Sequence, residues 1–154
     1  LLVCSRELQS YRRIILSRVI NSETAGKERT RLAKAVVLAL RELMHQTEPD
    51  ELTQDLAAFI ALALDEISES IEASVGAWEK RGYWVKADRY RMEWDWSGRL
   101  AKTMRSAVLE GDWAGVAMSA AQVAEKLQDI KVPQKHRLGT PWIGAWKQLR
   151  MTSK

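Results

Sequence analysis

Apolar residues recur along this chain at intervals of three and four, and no stretch alternates with period two for long enough to form a strand. The pattern predicts helices almost throughout. A first runs from about Ser5 to Ile20 with Leu8, Tyr11, Ile15 and Val19 on one face, and Asn21-Ser22 offers a turn. A second runs from about Thr24 to Gln46, carrying Leu32, Val36, Leu40 (or Ala39) and Leu43. Thr47-Glu48-Pro49 ends it and opens a long third helix, Pro49 to about Lys80, because proline is tolerated in a first turn and acids there suit the helix dipole.

The stripe of that third helix is Leu56, Ile60, Ala63, Ile67, Ile71, Ser74 and Trp78, and between Leu56 and Leu64 every side is apolar. A helix apolar all round is enclosed by others, and Ala35 to Leu40 has the same character, so the second and third helices are the expected central pair. Arg81-Gly82 breaks the pattern. A fourth helix, Lys86 to Leu109, presents Tyr90, Trp94, Ala101, Met104 and Val108, and Gly111 stops it. Asp112 is a good N-cap for a fifth, whose stripe of Trp113, Val116, Ala117, Ala120, Val123, Ala124, Leu127 and Ile130 is rich enough in alanine to allow close helix approach. The fold class that follows is all-α: an antiparallel bundle of four or five helices over residues 1–132, then a Pro/Gly/Trp-containing basic tail, 133–154. That tail gains order only by docking Leu138, Trp142, Ile143 and Trp146 onto something.

Length and composition add bounds. A chain of 154 residues fits one domain with a real core. The single Cys4 excludes an internal disulfide framework and, with no signal-peptide pattern, points to a reduced cytoplasmic compartment. No apolar run approaches the ~20 residues that span a bilayer, so no membrane partner is expected.

Charge changes the picture more. Between Glu42 and Glu79 there are ten carboxylates and no lysine or arginine, whereas Lys131 to Lys154 holds six bases and no acid. The segregation predicts docking of the basic tail on the acidic third helix of its own chain or of a neighbour's, or else on a polyanion.

Candidate chemistry is sparse. Glu42-x-x-His45 has the helical spacing of half a di-iron site, but the only other histidine, His136, has no acid three before it, so no metal is assigned. Asp65-Glu66-x-x-Glu69-x-x-Glu72 gathers carboxylates that could hold Mg²⁺ against a phosphate, or serve as an acidic docking face. Asp65-Glu66-x-x-Glu69 resembles the acidic helix of all-α nucleotide pyrophosphatases of the MazG type over that turn alone. The resemblance implies a second acidic motif on the next helix, where Glu93-Trp94-Asp95 has the wrong spacing. Ala25-Gly26-Lys27-Glu28 lacks the first glycine, the hydroxyl residue and the strand of a phosphate loop. Cys4 near a terminus and two histidines give little to build nucleophilic catalysis on.

All seven tryptophans fall between Trp78 and Trp146. Trp94, Trp113 and Trp78 sit on apolar stripes and read as core, while Trp84, Trp96, Trp142 and Trp146 do not. Around Trp84 and around Lys135, Arg137 and Trp142, aromatics interleave with bases, which suits either a protein interface or stacking on unpaired nucleotides. The leading reading is a non-enzymatic interaction module, a homo-oligomer or a binder of another protein, without cofactor, using Trp84, Lys135, Arg137, Trp142 and Trp146 against an acidic face of Asp65, Glu66, Glu69 and Glu72. The alternatives are a nucleic-acid-binding protein and a Mg²⁺-dependent nucleotide hydrolase.

Overall fold

The computed structural model describes residues 22–153, and over them the chain is an all-α bundle without strands. The helix expected at Ser5–Ile20 lies outside the described residues. The elements are α1 (Ser22–Met44), α2 (Glu51–Lys80), α3 (Trp84–Glu110), α4 (Trp113–Lys126) and α5 (Ala145–Thr152). No described helix is long and apolar enough to cross a membrane.

α2 is the central element and packs against α1, α3 and α5. Its all-round apolar middle is the cause: Leu56, Ile60, Leu64 and Ile67 are fully buried, each contributing about 1.5–3 kcal/mol by leaving water. The helix begins at Glu51, two residues later than the proline signal suggested. Pro49 precedes the cap, and Asp50 takes the N-cap position, accepting the Thr53 N–H at 3.0 Å. That hydrogen bond is the first cause holding the Asp50 carboxyl below its ordinary range.

Two devices set how closely α2 meets its neighbours. Gly98 on α3 lies so near Ser68 on α2 that a β-carbon at residue 98 would stand 2.7 Å from the Ser68 hydroxyl. On the α1 side the Arg29 guanidinium is buried, donating to the Ser70 hydroxyl at 2.7 Å, the Ser74 hydroxyl at 3.1 Å and the Ser70 carbonyl at 3.3 Å, with the Tyr90 ring 5.6 Å away. A buried cation is tolerated when hydrogen bonds replace its hydration, and the two serines and the ring do so here.

Three expectations need correction. Trp96 is core, at 6% exposure, whereas Trp94, Trp78 and Trp113 pack half-buried against the core cluster. The reason is that α3 packs on α4 as well as on α2, so it buries Trp96, Leu100 and Ala107 one arc beyond the Ala101–Met104–Val108 stripe. In α4 the buried positions are Val116, Ser119 and Val123, with Leu127 as C-cap; Ala120 packs half-buried against the core, whereas Ala117 and Ala124 are exposed and take no part in the contact. Third, Ile143 points to solvent while the tail folds a helix of its own, burying Trp142, Ala145 and Leu149.

Candidate functional site

The tail reaches α2 through backbone groups. α5 starts at Gly144, which sits at φ 82° and has no side chain to cap the helix. The cap comes from α2: Asp55 accepts the Gly144 N–H at 3.2 Å and the Trp146 N–H at 2.9 Å. A carboxylate on the first N–H groups of a helix satisfies orphan donors and faces the positive end of the dipole. Trp142 is thereby buried in the core, Leu138 and Trp146 are half-buried, and Arg150 lies over the Trp146 ring at 5.1 Å. Lys135 and Arg137 remain exposed on the approach to the helix.

Beyond this contact the tail, α1 and α2 leave a cleft of about 360 Å³. Leu32 and Ala35 of α1, Phe59 and Leu62 of α2 and Leu138 of the tail give it an apolar floor. Glu28, Asp65, Glu66 and Glu69 form an acidic rim, with Arg31 and Arg105 beside them. Burial, with Glu28 and Glu69 adding repulsion, pushes the Glu66 carboxyl up to about 7. Thus the structure brings Asp65, Glu66 and Glu69 together, while Glu72 faces Arg91 at 3.7 Å. Among the described residues no three His, Cys, Asp or Glu side chains converge closely enough to hold a metal ion, and His45 is exposed just past the end of α1.

The second candidate surface is the corner between α2 and α3. Tyr83, Trp84 and Val85 are 56%, 61% and 71% exposed, three consecutive large apolar side chains in water. The turn beneath them is fixed: Gly82 takes φ 82°, the Tyr83 N–H donates to the Trp78 carbonyl at 2.9 Å, and the Ala87 N–H donates to the Tyr83 carbonyl at 3.0 Å. Trp78 packs edge-on against Tyr90 with Lys86 over its face at 4.4 Å, making the wall of a shallow groove that Trp84 and Arg89 also line. Lys80, Arg81 and Arg89 are exposed around it.

Of the expected partner-binding residues, therefore, Trp84, Lys135 and Arg137 face solvent, Trp146 is shared with the bundle and Trp142 is enclosed. Tyr83 and Val85 were missed by spacing alone, although their place beside Gly82, where a turn must come, was the available signal. Glu28 was missed because its closeness to Glu66 depends on how α1 pairs with α2. No protein-family model, curated protein or solved structure matches this chain.

Proposed function

We propose that this chain is a non-enzymatic helical-bundle module of the cytoplasm that self-associates and, through the Tyr83-Trp84-Val85 corner, binds another protein. The carrying observation is that three large apolar side chains stand exposed on a turn whose backbone is hydrogen-bonded on both sides. Exposed apolar clusters rimmed by polar groups mark interaction sites, and tryptophan is a favoured anchor. A pre-ordered turn also loses little conformational entropy on binding.

The test is a photo-crosslinking residue at Trp84, with one at Met118, exposed on α4, as control. Discrete protein adducts from position 84 and not from 118, persisting after nuclease treatment, support the reading. Their absence overturns it.

A second reading, nucleic-acid binding, draws on the same corner because Lys80, Arg81 and Arg89 surround Trp84. It requires affinity for single-stranded DNA or RNA that drops about tenfold or more between 50 and 200 mM salt and is lost with Trp84→Ala. Titration by fluorescence anisotropy decides it.

A further inference from the structure

α2 has one face that its neighbours cover only in part. Leu62, Glu66, Glu69, Ala73, Gly76 and Lys80 follow at alternating steps of four and three, so they form a single seam along the helix. The α1 side of α2 is marked by Ser70 and Ser74 beneath Arg29, and the α3 side by Glu72 and Glu79, which Arg91 meets at 3.7 and 2.9 Å. The seam lies between those sides. Its first part is covered by the tail, which Asp55 holds, and at Glu66 it opens into the apolar cleft. From there on Glu69, Ala73 and Lys80 are exposed.

The charge along this face reverses about its midpoint. Glu66 and Glu69 stand at one end, Lys80 and Arg81 at the other, with Ala73 between them. Glu66 precedes Ala73 by seven positions and Lys80 follows it by seven, roughly 10 Å in each direction. A face that is antisymmetric in charge about its centre is complementary to itself after a two-fold rotation. We propose that the exposed face of α2 is the site of a homodimer, in which α2 of a second copy lies antiparallel with Ala73 near the axis and Lys80 of each copy against Glu66 of the other.

Three features of this chain agree with that occupant. The seam is small where two helices would cross, since Ala73 carries one methyl and no atom stands within 4 Å of a β-carbon built on Gly76. Burial among Glu28 and Glu69 raises Glu66 toward neutrality, and an opposing ammonium removes that penalty. The same register sets the Lys80–Arg81 end of one α2 level with Asp65 and Glu66 of the other, at the rim of its cleft. The pairing does not use the Trp84 corner, so either assignment stands or falls alone.

Sedimentation velocity of the full chain over a range of concentrations tests it. The wild type is expected to dimerise. Gly76→Arg has open space in the monomer and a better helix former in place of glycine, so it keeps the helical circular dichroism and melting temperature while raising the dimer Kd roughly a hundredfold or more. Lys80→Glu weakens the dimer about tenfold, and Glu66→Lys combined with Lys80→Glu restores it to within a few-fold of wild type. A monomer at every concentration, a dimer indifferent to Gly76→Arg, or a double variant that stays apart overturns the proposal. A dimer that dissociates with Trp84→Ala moves self-association to the corner and also overturns it.

Discussion

The Asp55 carboxylate accepts the Trp146 N–H at 2.9 Å, so a side chain on α2 supplies the cap that α5 lacks at Gly144. Two backbone donors meet one acid there, Gly144 N–H being the other. Hydrogen bonds to a charged group are worth about 1.5–3 kcal/mol, and loss of a cap costs about 1. Asp55→Ala is therefore expected to lower stability by about 1–2 kcal/mol in urea unfolding. Amide exchange should rise first in α5, with Asp55→Asn falling between alanine and wild type. Protection in α5 unchanged by Asp55→Ala would show that apolar packing alone holds the tail.

Trp142 and Trp84 separate the two roles tryptophan plays here. Trp142 is 6% exposed within the core cluster, whereas Trp84 is 61% exposed. Truncating a buried aromatic leaves a cavity, so Trp142→Ala should cost about 3–5 kcal/mol. Trp84→Ala and Lys135→Ala should each stay within about 0.5 kcal/mol. Thermal melts of the three variants check the ranking, and a large loss in Trp84→Ala would mean that the corner is part of the fold and not offered to a partner.

Local signals carried the helices into view: the Leu56–Ile60–Ile67 stripe, the Asp112 cap and the Gly111 stop are all where the pattern placed them. What stayed hidden depends on pairing. The tail helix has no cap of its own in sequence, because Asp55 lies on another element. Trp96 reads as an off-stripe residue until α3 is known to bury a second arc. The acids of the cleft were legible as one helix face, but its apolar floor joins Leu32, Phe59 and Leu138 from three parts of the chain. Glu72 lies farther round α2, on the side facing α3, where Arg91 meets it.

Glycine gives a matched pair. Gly76 and Gly98 both lie inside helices, where glycine costs about 1 kcal/mol relative to alanine. A β-carbon at Gly76 meets nothing within 4 Å, so Gly76→Ala should stabilise the chain by about 0.5–1 kcal/mol. At Gly98 it meets the Ser68 hydroxyl at 2.7 Å, so Gly98→Ala gains little and Gly98→Leu should lose about 1–3 kcal/mol by forcing α2 and α3 apart. Combining Gly98→Ala with Ser68→Ala should recover the helix-propensity gain. If Gly98→Ala alone stabilises as much as Gly76→Ala, the close approach at Ser68 is not a constraint.

Glu66 sets a pH dependence of unusual sign. Its folded-state carboxyl is raised from the ordinary 4.5 to about 7, by burial first and by Glu28 and Glu69 after it. Between those values the folded chain binds more protons at this site than the unfolded chain. Its contribution to stability therefore falls as pH rises from about 4.5 to about 7 and stays low above. Most carboxylates that gain partners on folding act in the opposite direction. Because Glu66 is partly open to water, the effect is discounted to the order of 1 kcal/mol. Glu66→Gln keeps the shape and removes the charge, so the variant should be more stable than wild type at pH 8 and equal to it at pH 4. Urea midpoints at the two values, taken on chain dilute enough to be monomeric so that no second copy's Lys80 opposes Glu66, decide it: an advantage at pH 4 that vanishes at pH 8 would contradict the assignment of a strained, half-buried carboxylate to the cleft.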